Sequence, residues 1–161
     1  MEITYKLLRP GLFQRGFHLE KFALDSSIKE WVRRKNWPSV NEAFLKLTSP
    51  QGALFQFLRE FHEFETIEFI ISVREGTNEW EEDGIWHDDG SRVFAFSLSL
   101  TDEVIEGGKL GFRKKRSEDT EFIPTPAYGE IILFLTGIHG YEHKIHQVSK
   151  GCRVVIAGWC S

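Results

Sequence analysis

The chain predicts an α+β fold in which helices come first and pack on one face of a jelly-roll-like β-sandwich. Three observations carry this. Apolar residues recur at helical spacing through the first two-fifths of the sequence and at strand spacing through the rest. Glycine-bearing turns punctuate the later part. The chain has 161 residues, 41% of them hydrophobic with 14 Phe and 5 Trp, which suits one domain with one core.

A short extended segment near residues 3–8 is expected first. Asp25-Ser26-Ser27 then offers N-cap chemistry ahead of Ile28-Lys29-Glu30-Trp31-Val32. Pro38 suits a break, after which Val40, Phe44, Leu45 and Leu47 continue with helical spacing. A third helix is predicted from about residue 52 to 64, with Leu54, Phe55, Phe57, Leu58 and Phe61 as its core-facing stripe. Strands are predicted at residues 68–73, 92–101, 109–113, 130–135, 142–148 and 152–159. Gly107-Gly108, Tyr128-Gly129 and Lys150-Gly151 separate several of them. The expected division is a helical support over residues 1–66 and a jelly-roll core over 67–161, within a single domain.

The segment 92–101 alternates cleanly. Phe94, Phe96, Leu98 and Leu100 form a large face suited to packing under the helices. Ala95, Ser97 and Ser99 form a small face that leaves space inside the sandwich, unless another sheet supplies bulk there. If the chain stays extended back to Asp89, this small face shares its parity with His87 and Asp89.

The net charge is 20 − 24 = −4, so no global field draws in nucleic acid. Arg33-Arg34-Lys35 and Arg113-Lys114-Lys115-Arg116 read as solvated surface. No apolar run is long enough to span a bilayer. The start, Met1-Glu2-Ile3-Thr4-Tyr5-Lys6, lacks the features of a secretory signal. Cys152 and Cys160 lie on one predicted strand, roughly 26 Å apart when extended. They read as free thiols, and a cytoplasmic location is expected.

His87 and Asp89, two residues apart, and His143 far downstream form a candidate metal set. Two imidazoles and one carboxylate occupy one face of an octahedral ion and leave three positions open, the pattern of non-haem Fe(II) oxygenases. Arg153 adds a permanent planar cation for a carboxylate. A His-x-Asp pair alone is a weak signal, and its context strengthens it.

That context resembles the 2-oxoglutarate/Fe(II)-dependent dioxygenases, particularly the prolyl-4-hydroxylase-like branch. His143 followed ten residues on by Arg153, with Gly151 two residues before that arginine and Trp159 six after it, is similar to the family's distal motif. His87-Asp88-Asp89 looks like its proximal His-x-Asp. Glu106-Gly107-Gly108-Lys109-Leu110 is similar to its Gly-Gly-x-Leu turn, and Gly129 through Phe134 to the strand before the distal histidine. The match spans roughly residues 68–159. The resemblance implies a double-stranded β-helix (jelly roll, cupin-like). It also implies Fe(II) on His87, Asp89 and His143, and 2-oxoglutarate held by Arg153 and chelating the iron, with one position left for O2. Oxidation would then yield succinate, CO2 and a hydroxylated substrate. Ser99 falls where many relatives have a residue bonding the 2-oxoglutarate carboxylate. One departure is the absence of a Tyr in Ile70-Ile71-Ser72-Val73-Arg74, where prolyl-hydroxylase relatives often carry one.

Local geometry is consistent with the distal motif. Ser149-Lys150-Gly151 suits a bulged hairpin loop with Gly151 left-handed, placing Arg153 opposite Gln147. Arg153 and His143 then share a face, roughly 13 Å apart along the sheet. His146 faces the other way and reads as packed or surface-exposed. His139 is expected in the loop between strands, His18 and His62 show no partner, and Asp88 is expected to be solvated. The expected function is a cytoplasmic dioxygenase hydroxylating a peptide side chain, prolyl or other, or a small metabolite. Neither a nucleic-acid nor a membrane partner is expected. The alternative is a non-catalytic jelly-roll metal or ligand-binding module, which has no need of a carboxylate clamp.

Overall fold

The placement of apolar residues dictates which surfaces must meet. The structure, a computed structural model, describes residues 4–76 and 84–161. Ile3, where the expected opening segment begins, lies outside them. After a 3-10 turn at Pro10–Phe13 come β1 (Phe17–Lys21), α1 (Ser26–Arg33), α2 (Trp37–Leu47), α3 (Ala53–Arg59) and β2 (Ile67–Glu75). Then follow β3 (Phe94–Ser99), β4 (Glu106–Gly107), β5 (Leu110–Lys114), β6 (Glu121–Ile123) and β7 (Glu130–Leu135). A 3-10 turn at Gly137–His139 leads to β8 (Tyr141–Ile145), β9 (Val148–Lys150) and β10 (Cys152–Cys160).

The helices form where their caps and stripes allow. Asp25 accepts hydrogen bonds from the Ser27 amide at 2.9 Å and hydroxyl at 2.7 Å, satisfying the start of α1. Asn36 caps α2, and Pro38 sits in its first turn, where a missing N–H costs nothing. Val40 and Phe44 are fully buried, whereas Leu45, expected with them, lies on the outer face at 57% exposed. The third helix stops at Arg59, short of the expected residue 64. Its continuation pairs instead with the N-terminal segment: the Leu8 amide donates to the Phe61 carbonyl and the Glu63 amide to the Lys6 carbonyl.

A five-stranded antiparallel sheet in the order β1-β7-β3-β10-β2 faces a three-stranded sheet, β6-β5-β8, with β4-β9 as a separate pair. The large face of β3 packs under the helices as expected, with Phe94, Phe96 and Leu98 beside Phe44, Leu54 and Leu58. Burying each such side chain contributes ~1.5–3 kcal/mol, so the helices are integral to the sheet. Gly158 admits the Phe96 ring: a Cβ there would stand 2.1 Å from Phe96 Cζ. A second core fills the sandwich, where Phe17 stacks on Phe112 at 4.8 Å and Ala95, Ile132 and Phe134 meet Leu110 and Ile145.

The strand pairing departs from expectation at three places. The segment expected to be mainly helical contributes β1, whose Phe17 pairs with Phe134 across the ladder. The expected strand 142–148 is two strands: β8 pairs with β5, then the chain turns so that β9 pairs with β4. The Ser149-Lys150-Gly151 hairpin does not form. Gly151 is left-handed (φ 80°), but it carries the chain across the sandwich, so that β10 pairs with β2 and β3 and not with β8.

His62, expected to lack a partner, is fully buried against Phe94 and joins the N-terminal segment to the β7–β8 turn. Its Nδ1 lies 2.6 Å from the Glu63 carbonyl, so that N–H donates there. Its Nε2 then accepts from His139 Nε2 at 2.8 Å. Burial pushes the pKa of both imidazoles down. For His62 the unfolded chain would protonate near pH ~6.5. Stability from its neutral form is therefore full above that pH and is lost as pH falls below it, by at most ~1.4 kcal/mol per pH unit. We predict that His62→Phe flattens the fall of unfolding free energy between pH ~6.5 and ~5, measured by urea denaturation. An unchanged slope would contradict the neutral, buried assignment.

Candidate metal centre and anion pocket

His87 reaches His143 through the backbone. Each residue's amide donates to the other's carbonyl at 2.9 Å, an isolated antiparallel bridge that sets the two rings 4.3 Å apart. His87 Nδ1 lies 3.0 Å from the Ile85 carbonyl, which makes it the protonated nitrogen and leaves Nε2 as a donor atom. His143 projects inward from β8 and is 6% exposed. Its ring packs on Phe134 at 4.7 Å, which orients it, and its buried Nδ1 has no hydrogen-bond partner among the described residues.

Asp89 is not in the extended chain the sequence suggested. Its φ is 63° and that of Gly90 is 65°, a left-handed pair that turns the chain back on itself. Asp89 Oδ2 thereby comes 3.1 Å from His143 Nε2, and Oδ1 3.6 Å from His87 Nε2. Asp88, expected to be solvated, faces away but fixes this turn. It accepts from the Gly90 amide at 2.9 Å and pairs with Lys115 at 2.6 Å, while its carbonyl accepts from the Gly137 amide.

One ligand atom from each of His87, Asp89 and His143 lies within 4.8 Å of the others. Neighbouring ligands on an octahedron with bonds of ~2.1 Å stand about 3.0 Å apart, and the Asp89 oxygens already lie 3.1 and 3.6 Å from the two imidazole nitrogens. Asp89 Oδ2 is buried and, among the described residues, has no well-aligned hydrogen-bond donor, although His143 Nε2 stands 3.1 Å away. Burial alone would raise the Asp89 pKa; the contact with His143, both imidazoles and the Trp159 indole outweigh it and hold the carboxyl below its usual range. The donor set therefore fits a divalent transition metal.

The same three residues line a cavity of about 510 Å³, together with Ser97, Trp159, Arg74 and Arg153. Arg153 is 3% exposed. Its Nε donates to Thr125 Oγ1 at 3.1 Å, and that hydroxyl donates to the Gly108 carbonyl at 3.1 Å. Gly108 explains the second glycine of the Gly-Gly-x-Leu turn: its φ is 69°, and a Cβ there would stand 3.0 Å from Arg153 Cδ. Arg153 and His143 thus share a cavity, although the expected hairpin that was to align them is absent.

Ser99 stands elsewhere than its suggested role requires. It is fully buried, donates to the Pro126 carbonyl at 2.7 Å and lies outside the cavity lining, to which β3 contributes Ser97. His146 packs on Phe122 at 4.7 Å, away from the trio. His139 lies in its expected loop and His18 bonds Glu20 at 2.8 Å. Both cysteines are free thiols. Arg33 and Arg113, expected as solvated basic surface, pair with Asp102 and Glu142. Arg74 and Thr125 escape sequence reasoning. A charged residue closing the apolar run Ile70-Ile71-Ser72-Val73 was the only available sign of Arg74, and Thr125 had none.

No family model matches the chain, and no curated protein sequence matches it. Solved structures do. A prolyl-4-hydroxylase from Pseudomonas putida matches with a TM-score of 0.54 and 16% identity, over 95% of this chain and 92% of that one. A Trichoplax adhaerens prolyl hydroxylase, in complex with a peptide of a hypoxia inducible factor, matches at 0.58 and 12%, over 96% and 87%. The iron- and alpha-ketoglutarate-dependent endoperoxidase NvfI matches at 0.62 and 11%, over 94% and 81%. The chain therefore has the jelly-roll fold on which these prolyl hydroxylases and this iron- and 2-oxoglutarate-dependent endoperoxidase are built.

Proposed function

We propose that the protein is a Fe(II)- and 2-oxoglutarate-dependent dioxygenase that hydroxylates a peptide side chain or a small metabolite. The reaction takes 2-oxoglutarate, O2 and R–H to succinate, CO2 and R–OH. The observation that carries this is the convergence of His87, Asp89 and His143 in one cavity with the buried Arg153. A simple metal-binding module has no use for a guanidinium there.

His87, Asp89 and His143 would hold Fe(II), which in such a facial site supplies open positions and the redox change that couples decarboxylation to C–H oxidation. His87 is held as the Nε2 donor by the Ile85 carbonyl, and His143 by Phe134 and its backbone pair. Arg153 would bind the distal carboxylate of 2-oxoglutarate, oriented by Thr125. The apolar side chains of Phe134, Leu110 and Ile145, which line the cavity, would keep water from its inner end. Ile70 and Ile85, each more than half exposed, line the outer end where a substrate side chain would enter. Peptide targets have precedent in the prolyl hydroxylases of like fold, one solved with a peptide. Among the described residues no helix is long and apolar enough to cross a membrane.

Two predictions follow the chemistry. His143→Ala should eliminate Fe(II)-dependent 2-oxoglutarate decarboxylation, measured as succinate, while His146→Ala retains most of it. The reverse pattern would remove the metal assignment and, with it, that of Arg153. Arg153→Ala should spare metal binding but weaken 2-oxoglutarate binding, since losing one partner of a buried charged pair commonly costs ~3–5 kcal/mol. An unchanged dissociation constant, read by calorimetry with Mn(II) in the site, rules that role out.

A further inference from the structure

The cavity opens beside a sheet edge. β2 is an outermost strand of the five-stranded sheet, and its Ile70 and Ser72 line the cavity with His87, Asp89 and His143. The backbone direction of β2 is fixed at its ends. Thr66 and Ser161 exchange both amide–carbonyl bonds, and the Gly76 amide donates to the Gly151 carbonyl. The unbroken register between them turns the amides and carbonyls of Glu68, Ile70, Ser72 and Arg74 toward β10. Those of Phe69, Ile71 and Val73 point the other way, where β2 has no strand partner among the described residues.

Edge strands are normally blunted by shortness, charge, Pro or a bulge. β1, at the opposite edge, has five residues and ends in Lys21. β2 has nine, and its central Phe69-Ile70-Ile71-Ser72-Val73 carries no charge, Pro or bulge. The unguarded edge is the one beside the cavity. Its row of outward amides and carbonyls complements an extended peptide backbone. An antiparallel strand laid there bonds Phe69, Ile71 and Val73, and its residues opposite Ile70 and Ser72 place their side chains on the cavity face. Half-exposed Ile70 offers an apolar neighbour to one, and the short Ser72 side chain leaves room for the other. The amides of those two guest residues point away from β2, so even a proline costs no ladder bond there.

We propose that the substrate is an extended peptide that adds to the free edge of β2 as an antiparallel strand, presenting the residue opposite Ser72 to the candidate metal centre. This rests on the dioxygenase assignment above and selects a peptide over a small metabolite.

The probe is a mixture of short synthetic peptides, randomised at every position, offered to the chain loaded with Mn(II) and 2-oxoglutarate. Bound members are identified by mass spectrometry and the tightest is resynthesised. Hydrogen exchange read by NMR should show fast Phe69, Ile71 and Val73 amides in the free chain, slowed at least about 10-fold by the peptide, with Ile70 and Ser72 slow throughout. With Fe(II) and O2 in place of Mn(II), one peptide residue should gain an oxygen. N-methylation of its two neighbours should weaken binding roughly 10-fold, because each loses a ladder bond, whereas N-methylation of that residue should not. Ile71→Pro removes an outward donor and no bond to β10, so it should weaken peptide binding similarly and leave Mn(II) and 2-oxoglutarate binding unchanged. The methylated peptides carry the test if that variant does not fold.

Failure to capture any peptide, a captured peptide that leaves those three amides fast, or a methylation pattern without this alternation overturns the docking. So do amides already slow in the free chain; if they quicken on dilution, the edge belongs to a second copy of this chain. A peptide that binds the edge but gains no oxygen leaves the docking standing and removes the dioxygenase assignment. A peptide hydroxylated without engaging the edge does the reverse.

Discussion

The site depends on two backbone hydrogen bonds, those that join His87 to His143. They bring segments distant in sequence into one bridge, and they set the ring positions before any side chain chooses a rotamer. Residues that exchange both bonds have Cα atoms about 5.5 Å apart with side chains on the same face. An extended chain from His87 would then carry Asp89 further along the strand direction. The left-handed Asp89-Gly90 turn brings its carboxylate back to the two imidazoles instead. Asp88 holds that turn through Gly90, Lys115 and Gly137. The residue between His87 and Asp89 is thus the one that positions the second.

The five-stranded sheet serves two purposes on its two faces. One face is filled with Phe and Leu beneath the helices. The other is filled only at the end near β1 and β7, where Phe17, Ile132 and Phe134 meet the smaller sheet. Toward β10 and β2 the inward residues are Ser97, Ala157, Ser72, Arg74 and Arg153, and the sandwich stays open as the cavity. The interior is close-packed around His143 at one end and roomy at the other. Arg74 and Arg153 reach this open end as cross-strand neighbours on β2 and β10.

Much of this was legible in the sequence, for physical reasons. The alternation through Phe94 and Ala95 announces which face is large and which small, since strand periodicity is local. The helix starts are readable because Asp25 and Asn36 cap through their own neighbours. The candidate trio is readable as a motif, but its geometry is not: the Asp89 turn depends on Lys115 and Gly137, which only the fold brings close. Pairing partners were the weakest point. Gly151 was read as a hairpin residue because a left-handed glycine between strands suits one, yet here it carries the chain between sheets. The His62–His139 bond, the Thr125 support of Arg153 and the register of Arg74 all join residues far apart in the chain. No local pattern encodes such contacts.

The most direct test of the central claim is a crystal structure of the protein grown anaerobically with Mn(II) and 2-oxoglutarate, with anomalous diffraction recorded at the manganese edge. The account predicts a single strong anomalous peak bonded to His87 Nε2, His143 Nε2 and an Asp89 oxygen, at about 2.0–2.2 Å. It also predicts the chelating end of the diacid on that ion and its far carboxylate within hydrogen-bond reach of Arg153. A metal bound elsewhere, or a diacid whose far carboxylate lies away from Arg153, would contradict it.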